Sequence, residues 1–349
     1  MTISFSEKEN PWVGNENSIW LATTLELCRN VDKFHFPIKL NAERKAHIIQ
    51  LIHKTLSQSD IFSGLSLLLA TEISPMDRQF LFEHFLIFGH PPQPHPGEAF
   101  VIDSSGQILF VLNIKDHVQL YALSTSQDLE RSWTLLTKIE DALQKTIQFA
   151  FSEEFGYLTS DPMHTGTGLI VSAFMHVPAL ILEEKLASFL DEERQEAVFA
   201  LNLYGNSEDF LGDILVLKNR YTLGVTEEII ISNIHKAALR LLAEENSARN
   251  ELKKKKPEDA EDKISRAVGI LQNSFSIGTS EALKALSLVK LGIELGWIKG
   301  IDLATINRLF FECRRAHLAR RIGPQFSLEH AHAIRAEFLR QETKSLHFA

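Results

Sequence analysis

Along this chain the pattern of apolar and polar positions shifts from short β-branched or alternating runs to long stretches with helical spacing. Residues 19–27 are β-branched, aromatic and partly alternating, which predicts a strand near the start of a first domain. Asn41 is placed to cap a helix with Ile48, Ile49, Ile52 and Leu56 on its apolar face. Ser74 and Pro75 open another, carrying Phe80, Leu81, Phe85 and Phe88 up to Gly89, and Pro91, Pro92, Pro94 and Pro96 hold the next connection extended. The runs 100–102 and 108–112 flank Asp103-Ser104-Ser105-Gly106 and predict a hairpin. Leu129, Trp133, Leu136, Leu143 and Ile147 predict one long amphipathic helix over 126–151, packed on the sheet. A helix over 178–190, a strand over 197–203 and a helix opened by Thr226-Glu227-Glu228 follow.

The run Lys253-Lys254-Lys255-Lys256-Pro257-Glu258-Asp259-Ala260-Glu261-Asp262 cannot form a packed face and reads as a solvated linker or frayed helix end. It divides the chain into 1–252, a linker over 253–262, and a helical module over 263–349. In that module Ala282, Leu286, Val289 and Ile293 form one stripe, Asp302 caps a helix with Leu303, Ile306, Leu309 and Cys313 inward, and Ser327 precedes a last helix.

At 349 residues, 44% hydrophobic and 23% charged, the composition is that of a globular protein with a real core. A net charge of −9 argues against general binding to nucleic acid or anionic membranes, so any anion site must be local. No apolar run is long enough to span a membrane, and residues 1–20 lack the apolar core of a secretory signal. Cys28 and Cys313 lie far apart without metal spacing, which places the chain in a reduced cytoplasm with no metal site. His330 and His332, two apart on a helix, face different ways and do not form a metal pair.

The stretch that carries the most information is Gly156-Tyr157-Leu158-Thr159-Ser160-Asp161-Pro162-Met163-His164-Thr165-Gly166-Thr167-Gly168-Leu169. Its glycines permit φ > 0 and close approach to a ligand, so it fits either an anion-cradling loop feeding an element near Leu169 or a plain turn. Taken with Met175-His176 and Pro178-Ala179-Leu180, it resembles the signature of the ATP:guanido phosphotransferases, and within them the bacterial protein arginine kinases. The resemblance covers roughly residues 19–340. It implies an α+β phosphotransferase domain, an antiparallel sheet flanked by helices, followed by a helical C-terminal domain that dimerises.

The resemblance also locates departures. The family motif has Cys at Asp161 and Arg at Ile170, and two arginines at Thr24 and Glu26, aligned on Arg29-Asn30. Its Asn-Glu-Glu-Asp-His-x-Arg segment is matched by Asn113, Asp116 and His117. Lys115, however, stands at an acidic position and Gln119 at a phosphate-binding arginine. Leu201 takes a further arginine position, and Asn206, after Tyr204-Gly205, takes the catalytic glutamate. The family's nucleotide-contacting histidine falls at Phe85, beside His84. Retained are Arg29, Asn30, Asp116, His117, Gly166, Thr167, Gly168 and Gly205. The phosphoarginine-sensing motif survives only in its second half, Ala331-His332-Ala333-Ile334-Arg335-Ala336.

Phosphoryl transfer from ATP needs several cations around the β and γ phosphates. The matching positions Thr24, Glu26, Gln119, Ile170 and Leu201 supply none. The resemblance therefore implies a kinase-like protein without catalysis or a bound nucleotide, acting on a protein partner: the zinc-binding activator protein or Clp-type ATPase with which the family works. The alternative is an active ATP- and Mg-dependent guanidino or protein arginine kinase with relocated groups. Ile170 and Leu201 would also make the emptied cleft more apolar.

Overall fold

The first strand sets the frame. In the computed structural model, which describes residues 3, 5, 10–59, 61, 64–89, 91–193, 197–203, 205 and 209–349, β1 spans Trp20–Arg29 and is buried along nearly its whole length. Asn41 accepts a hydrogen bond from the Arg44 amide and opens α1 (Ala42–Ser57), whose buried face includes Ile48, Ile49, Ile52 and Leu56 as the spacing predicts. After β2 (Ser66–Leu69), Ser74 caps α2 (Pro75–His84). That helix stops five residues before Gly89 because Leu86 turns to φ 54° and the chain folds back with Phe85 and Leu86 in the core.

The hairpin forms as β3 (Ala99–Ile102) and β4 (Ile108–Leu112), and β5 (Val118–Ser124) follows. The helix predicted over 126–151 is shorter, α3 (Leu129–Gln144), with Asp128 as its cap. Beyond it the Asp32 amide donates to the Gln148 carbonyl and the Ala150 amide to the Asn30 carbonyl. Extended pairing with the end of β1 thus displaces the last helical turns. β6 (Phe151–Ser152) and β7 (Gly156–Tyr157) form a small hairpin, and β8 (Leu169–His176) returns to the sheet.

The helix predicted over 178–190 is broken at Glu184 (φ 55°) into α4 (Pro178–Leu182) and α5 (Leu186–Glu193). β9 (Val198–Leu201) and β10 (Ile214–Asn219) complete an eight-stranded sheet of order β2-β3-β4-β5-β1-β8-β10-β9. It is the antiparallel sheet flanked by helices that the resemblance implies.

α6 (Glu227–Lys255) runs through the lysines, and α7 (Glu258–Asn273) starts just past Pro257. Only Lys256 and Pro257 separate them, so the charged run is almost entirely helical. The acids in the first turn of α7 and the lysines ending α6 each suit the helix dipole. The rest comprises α8 (Thr279–Leu295), β11 (Ile298–Lys299), α9 (Leu303–Glu312), α10 (Arg315–Ile322), α11 (Ala331–Glu342) and β12 (His347–Phe348). The last helix starts at Ala331, four residues after Ser327, so Leu328 precedes it and is exposed.

By contacts the chain forms two compact units: residues 1–11, 22–173 and 218–235 in the first, and 12–21, 174–217 and 236–349 in the second. In the first, α1 packs on α3 and α3 on β5. In the second, α8 packs against α4, α7 and α9, and α11 against α7. Among the described residues no helix is long and apolar enough to cross a membrane.

Candidate functional site

β1 and β5 run antiparallel with Glu26 opposite Tyr121 and Cys28 opposite Gln119. Alternate residues of a strand share a face, so these four side chains meet within the first unit. Glu26 Oε1 accepts from Gln119 Nε2 at 2.8 Å and from the Tyr121 hydroxyl at 2.8 Å, with Cys28 Sγ 3.6 Å away. Thr24, two residues earlier on β1, is buried. Burial first, and the Glu26 charge second, push the Cys28 thiol and the Tyr121 phenol well above their ordinary values. Both stay protonated and serve as donors. Two of the five phosphate-arginine positions, Glu26 and Gln119, thus belong to a carboxylate held by neutral donors, and among the described residues Glu26 has no ion pair.

The retained residues fasten the backbone. Asp116 Oδ1 accepts from Asn30 Nδ2 at 2.6 Å and from the Ser160 amide at 2.7 Å, while Asn30 Oδ1 accepts from the His117 amide at 2.9 Å. Asn30 Nδ2 also donates to the Leu158 carbonyl at 3.0 Å. Arg29 donates to Glu140 at 2.6 Å and to the carbonyls of Cys28 and Thr167 at 2.8 Å each, and its guanidinium stacks 3.5 Å above the Tyr157 ring. It is 2% exposed and presents no charge to a ligand.

The glycines serve the protein's own backbone. A Cβ on Gly166 (φ 114°) would sit 2.1 Å from the Thr222 carbonyl oxygen, and one on Gly168 (φ 63°) would sit 2.7 Å from the Cys28 carbonyl oxygen. Of the two alternatives, the loop is therefore a packed turn. Asp161 caps a single 3₁₀ turn (Pro162–His164) by accepting from the Met163 amide at 3.0 Å, and the element at Leu169 is a strand, so no helix dipole points at the loop.

The Nδ1 of His117 accepts from the Val31 amide at 2.9 Å, which puts the ring proton on Nε2, facing the His35 carbonyl at 3.1 Å. Burial lowers its pKa from 6.5 to about 4, against a smaller upward pull from the His35 carbonyl. An unfolded chain takes up this proton as pH falls through 6.5, and the folded chain only near 4. Stability that is whole above pH 6.5 is thus lost on acidification, by up to about 3 kcal/mol from this ring. The slope of melting temperature against pH between these values should be shallower in His117→Gln than in the parent; equal slopes would refute the assignment.

Other positions do not converge on this cluster. Ile170 is 3% exposed and offers no surface, which removes it from an apolar cleft. Leu201, half-buried on β9, and exposed Gly205 belong to the second unit, and Asn206 and Tyr204 lie outside the described residues. Lys115 is exposed on the turn before β5, where its carbonyl accepts from Ser160 Oγ at 2.7 Å. Phe85 and His84 are buried, and His84 Nε2 lies 2.9 Å from the Gly106 carbonyl. Arg335 of the half-kept sensing motif is 1% exposed and donates to the carbonyls of Cys313 and Ile277. Sequence reasoning missed Tyr121 and Cys28. Strand alternation was the available signal, since each is two residues from a position already singled out.

Residues 47–248 match the model of the ATP:guanido phosphotransferase C-terminal catalytic domain, and residues 257–348 match that of the protein-arginine kinase McsB C-terminal domain. Curated relatives agree over nearly the whole length. A protein-arginine kinase of Pelotomaculum thermopropionicum is 31% identical over 95% of this chain and 94% of its own, and one of Chlamydia pneumoniae is 34% identical over 89% and 86%. The chain belongs to the ATP:guanido phosphotransferase family. Among solved structures of the ATP:guanido phosphotransferase fold, a duplicated taurocyamine kinase from Schistosoma mansoni superposes on 69% of this chain, at a TM-score of 0.58 and 19% identity. The chain spans 35% of that duplicated protein's length. A lombricine kinase superposes on 70% of this chain and 71% of its own, at a TM-score of 0.56 and 15% identity. These two ATP:guanido phosphotransferase structures bear on fold alone.

Proposed function

We propose that this member of the family is a protein-arginine-kinase-like protein that does not transfer phosphate and works by binding another protein. The observation that carries the reading is the Glu26 carboxylate, held by Gln119 and Tyr121 where the resemblance places a pair of phosphate-binding arginines. Two like charges about 4 Å apart repel by roughly 4 kcal/mol near a protein surface, so a triphosphate is disfavoured there. Removing a single arginine finger costs other phosphoryl-transfer enzymes about 10³ to 10⁵ in rate. Here Thr24, Glu26, Gln119, Ile170 and Leu201 replace the whole set, and Mg·ATP does not fit the residues present.

The substrate side supports the same reading. Lys115 would repel a guanidinium, and Asn206 cannot act as a base. The architecture is kept while its cations are absent, which suits a scaffold. By the resemblance its partners are a zinc-binding activator protein or a Clp-type ATPase in the cytoplasm, and its helical module pairs two copies.

One observation favours a second reading, an active ATP- and Mg-dependent protein arginine kinase. Lys115 and Lys218 both act electrostatically on His164, beside Glu26 and Asp161, and could stand in for arginines. Calorimetric titration of the full chain with Mg·ADP separates the two. No binding heat up to about millimolar ligand is expected, and a micromolar constant would favour the second reading instead.

A further inference from the structure

Strand β5 presents its two faces alternately. Gln119 and Tyr121 reach Glu26, so Ala122 and Ser124 belong to the opposite face, on which α3 packs. On that side, a cavity of about 630 Å³ opens between the end of β5, the turn after it and α3, entirely within the first unit. Its size lies within the roughly 300–1,000 Å³ of small-molecule sites.

The lining has one electrostatic sign. Arg131 and Lys138 both border the cavity, seven residues apart on α3. Seven residues are about two helical turns, which puts the two cations on one face with origins about 10.5 Å apart. Ser124 and Ser126 add hydroxyls, whereas those of Ser132 and Thr134 donate to the carbonyls of Asp128 and Glu130. Among the described residues no carboxylate lines this space, in a chain of net charge −9, and neither Arg131 nor Lys138 forms an ion pair.

An arginine fork engages two oxygens of a phosphoryl group at once, a lysine supplies a compact charge, and hydroxyls donate to the oxygens left over. No aromatic ring borders the cavity among the described residues, so a nucleobase would find nothing to stack on. We propose that the cavity between β5 and α3 binds a small non-aromatic ligand bearing two phosphoryl groups, one held by Arg131 and the other by Lys138. The site lies across the sheet from Glu26 and does not depend on whether the chain transfers phosphate.

Inorganic pyrophosphate is the probe. Titrated calorimetrically into the full chain, it should bind with a micromolar constant that weakens as salt is raised. The double variant Arg131→Ala/Lys138→Ala should melt with the parent, because both side chains are exposed, and should lose at least about 100-fold in affinity. Arg44→Ala, exposed in the first turn of α1 and outside the cavity, should bind like the parent. Amide exchange should slow across residues 124–138 when pyrophosphate is added. Absence of binding, undiminished binding by the double variant, or protection confined to other segments would each overturn the proposal. Adenosine monophosphate binding more tightly than pyrophosphate would overturn the choice of a non-aromatic ligand.

Discussion

Replacing Arg249 with alanine is expected to lower the stability of the second unit by about 3–5 kcal/mol, a fall of roughly 10 °C in melting temperature. The guanidinium donates to Glu245 at 2.6 Å, to Ser18 Oγ at 2.7 Å and to Glu294, and it reaches the His176 carbonyl at 3.3 Å. Glu245 is fully buried and also accepts the amides of Ala179 and Leu180 at 3.1 and 3.0 Å. Alanine would leave the buried Glu245 and the half-buried Glu294 carboxylates without their cation, and that uncompensated charge is the source of the loss. The charge argument makes a sharper demand. Adding Glu245→Gln and Glu294→Gln to Arg249→Ala should restore much of the stability, whereas if the loss came only from missing contacts the triple variant would melt lower still. Thermal melts of the three proteins decide between them.

The second large effect is expected at Arg29. Its pairing with Glu140 is buried at both ends, and its bond to the Thr167 carbonyl ties the glycine loop to β1. Arg29→Ala should therefore cost about 3–5 kcal/mol and should accelerate amide exchange over residues 166–169. Arg29→Lys keeps the charge but loses the fork, so it should recover the Glu140 pairing without the loop's protection. If the lysine variant protected the loop like the parent, the bond to the Thr167 carbonyl would not be what holds it.

Near Arg249 lies a group that imitates a hydrolytic triad. His176 Nε2 is 2.8 Å from Ser287 Oγ, which bonds Asp213. The aspartate lies on the serine rather than on the imidazole, and His176 and Ser287 are fully buried, so the order needed to activate a nucleophile is absent. Burial lowers the His176 pKa, with Lys290 and Arg249 adding to it, and the ring is a neutral relay within the core.

What could be read from sequence follows the range of the forces involved. Caps and periodicity act over a few residues, and Asn41, Asp302 and the stripe of α1 stand where their spacing puts them. The errors fall where distant backbone intervenes. Residues 148–150 leave their helical pattern because the backbone just past β1 offers hydrogen bonds from 120 residues earlier, as between Ala150 and Asn30, with the ladder reaching on to Asp32. Glu184 and Leu86 take positive φ in turns that no local composition announced.

The candidate site divides in the same way. Family likeness located Glu26 and Gln119, but only the register of β1 against β5 shows them bonded to each other. The glycines were legible as special and misleading as to why. Their lost side chains make room for Thr222 and Cys28, not for a ligand.

The chain's repeated passage between its two compact units bears on its birth at the ribosome. The first unit lacks its last segment until residue 235 has emerged, and the second has contributed residues 12–21 long before the helices that surround them are made. A nascent chain must therefore carry unpaired strand edges until the late segments of each unit have emerged.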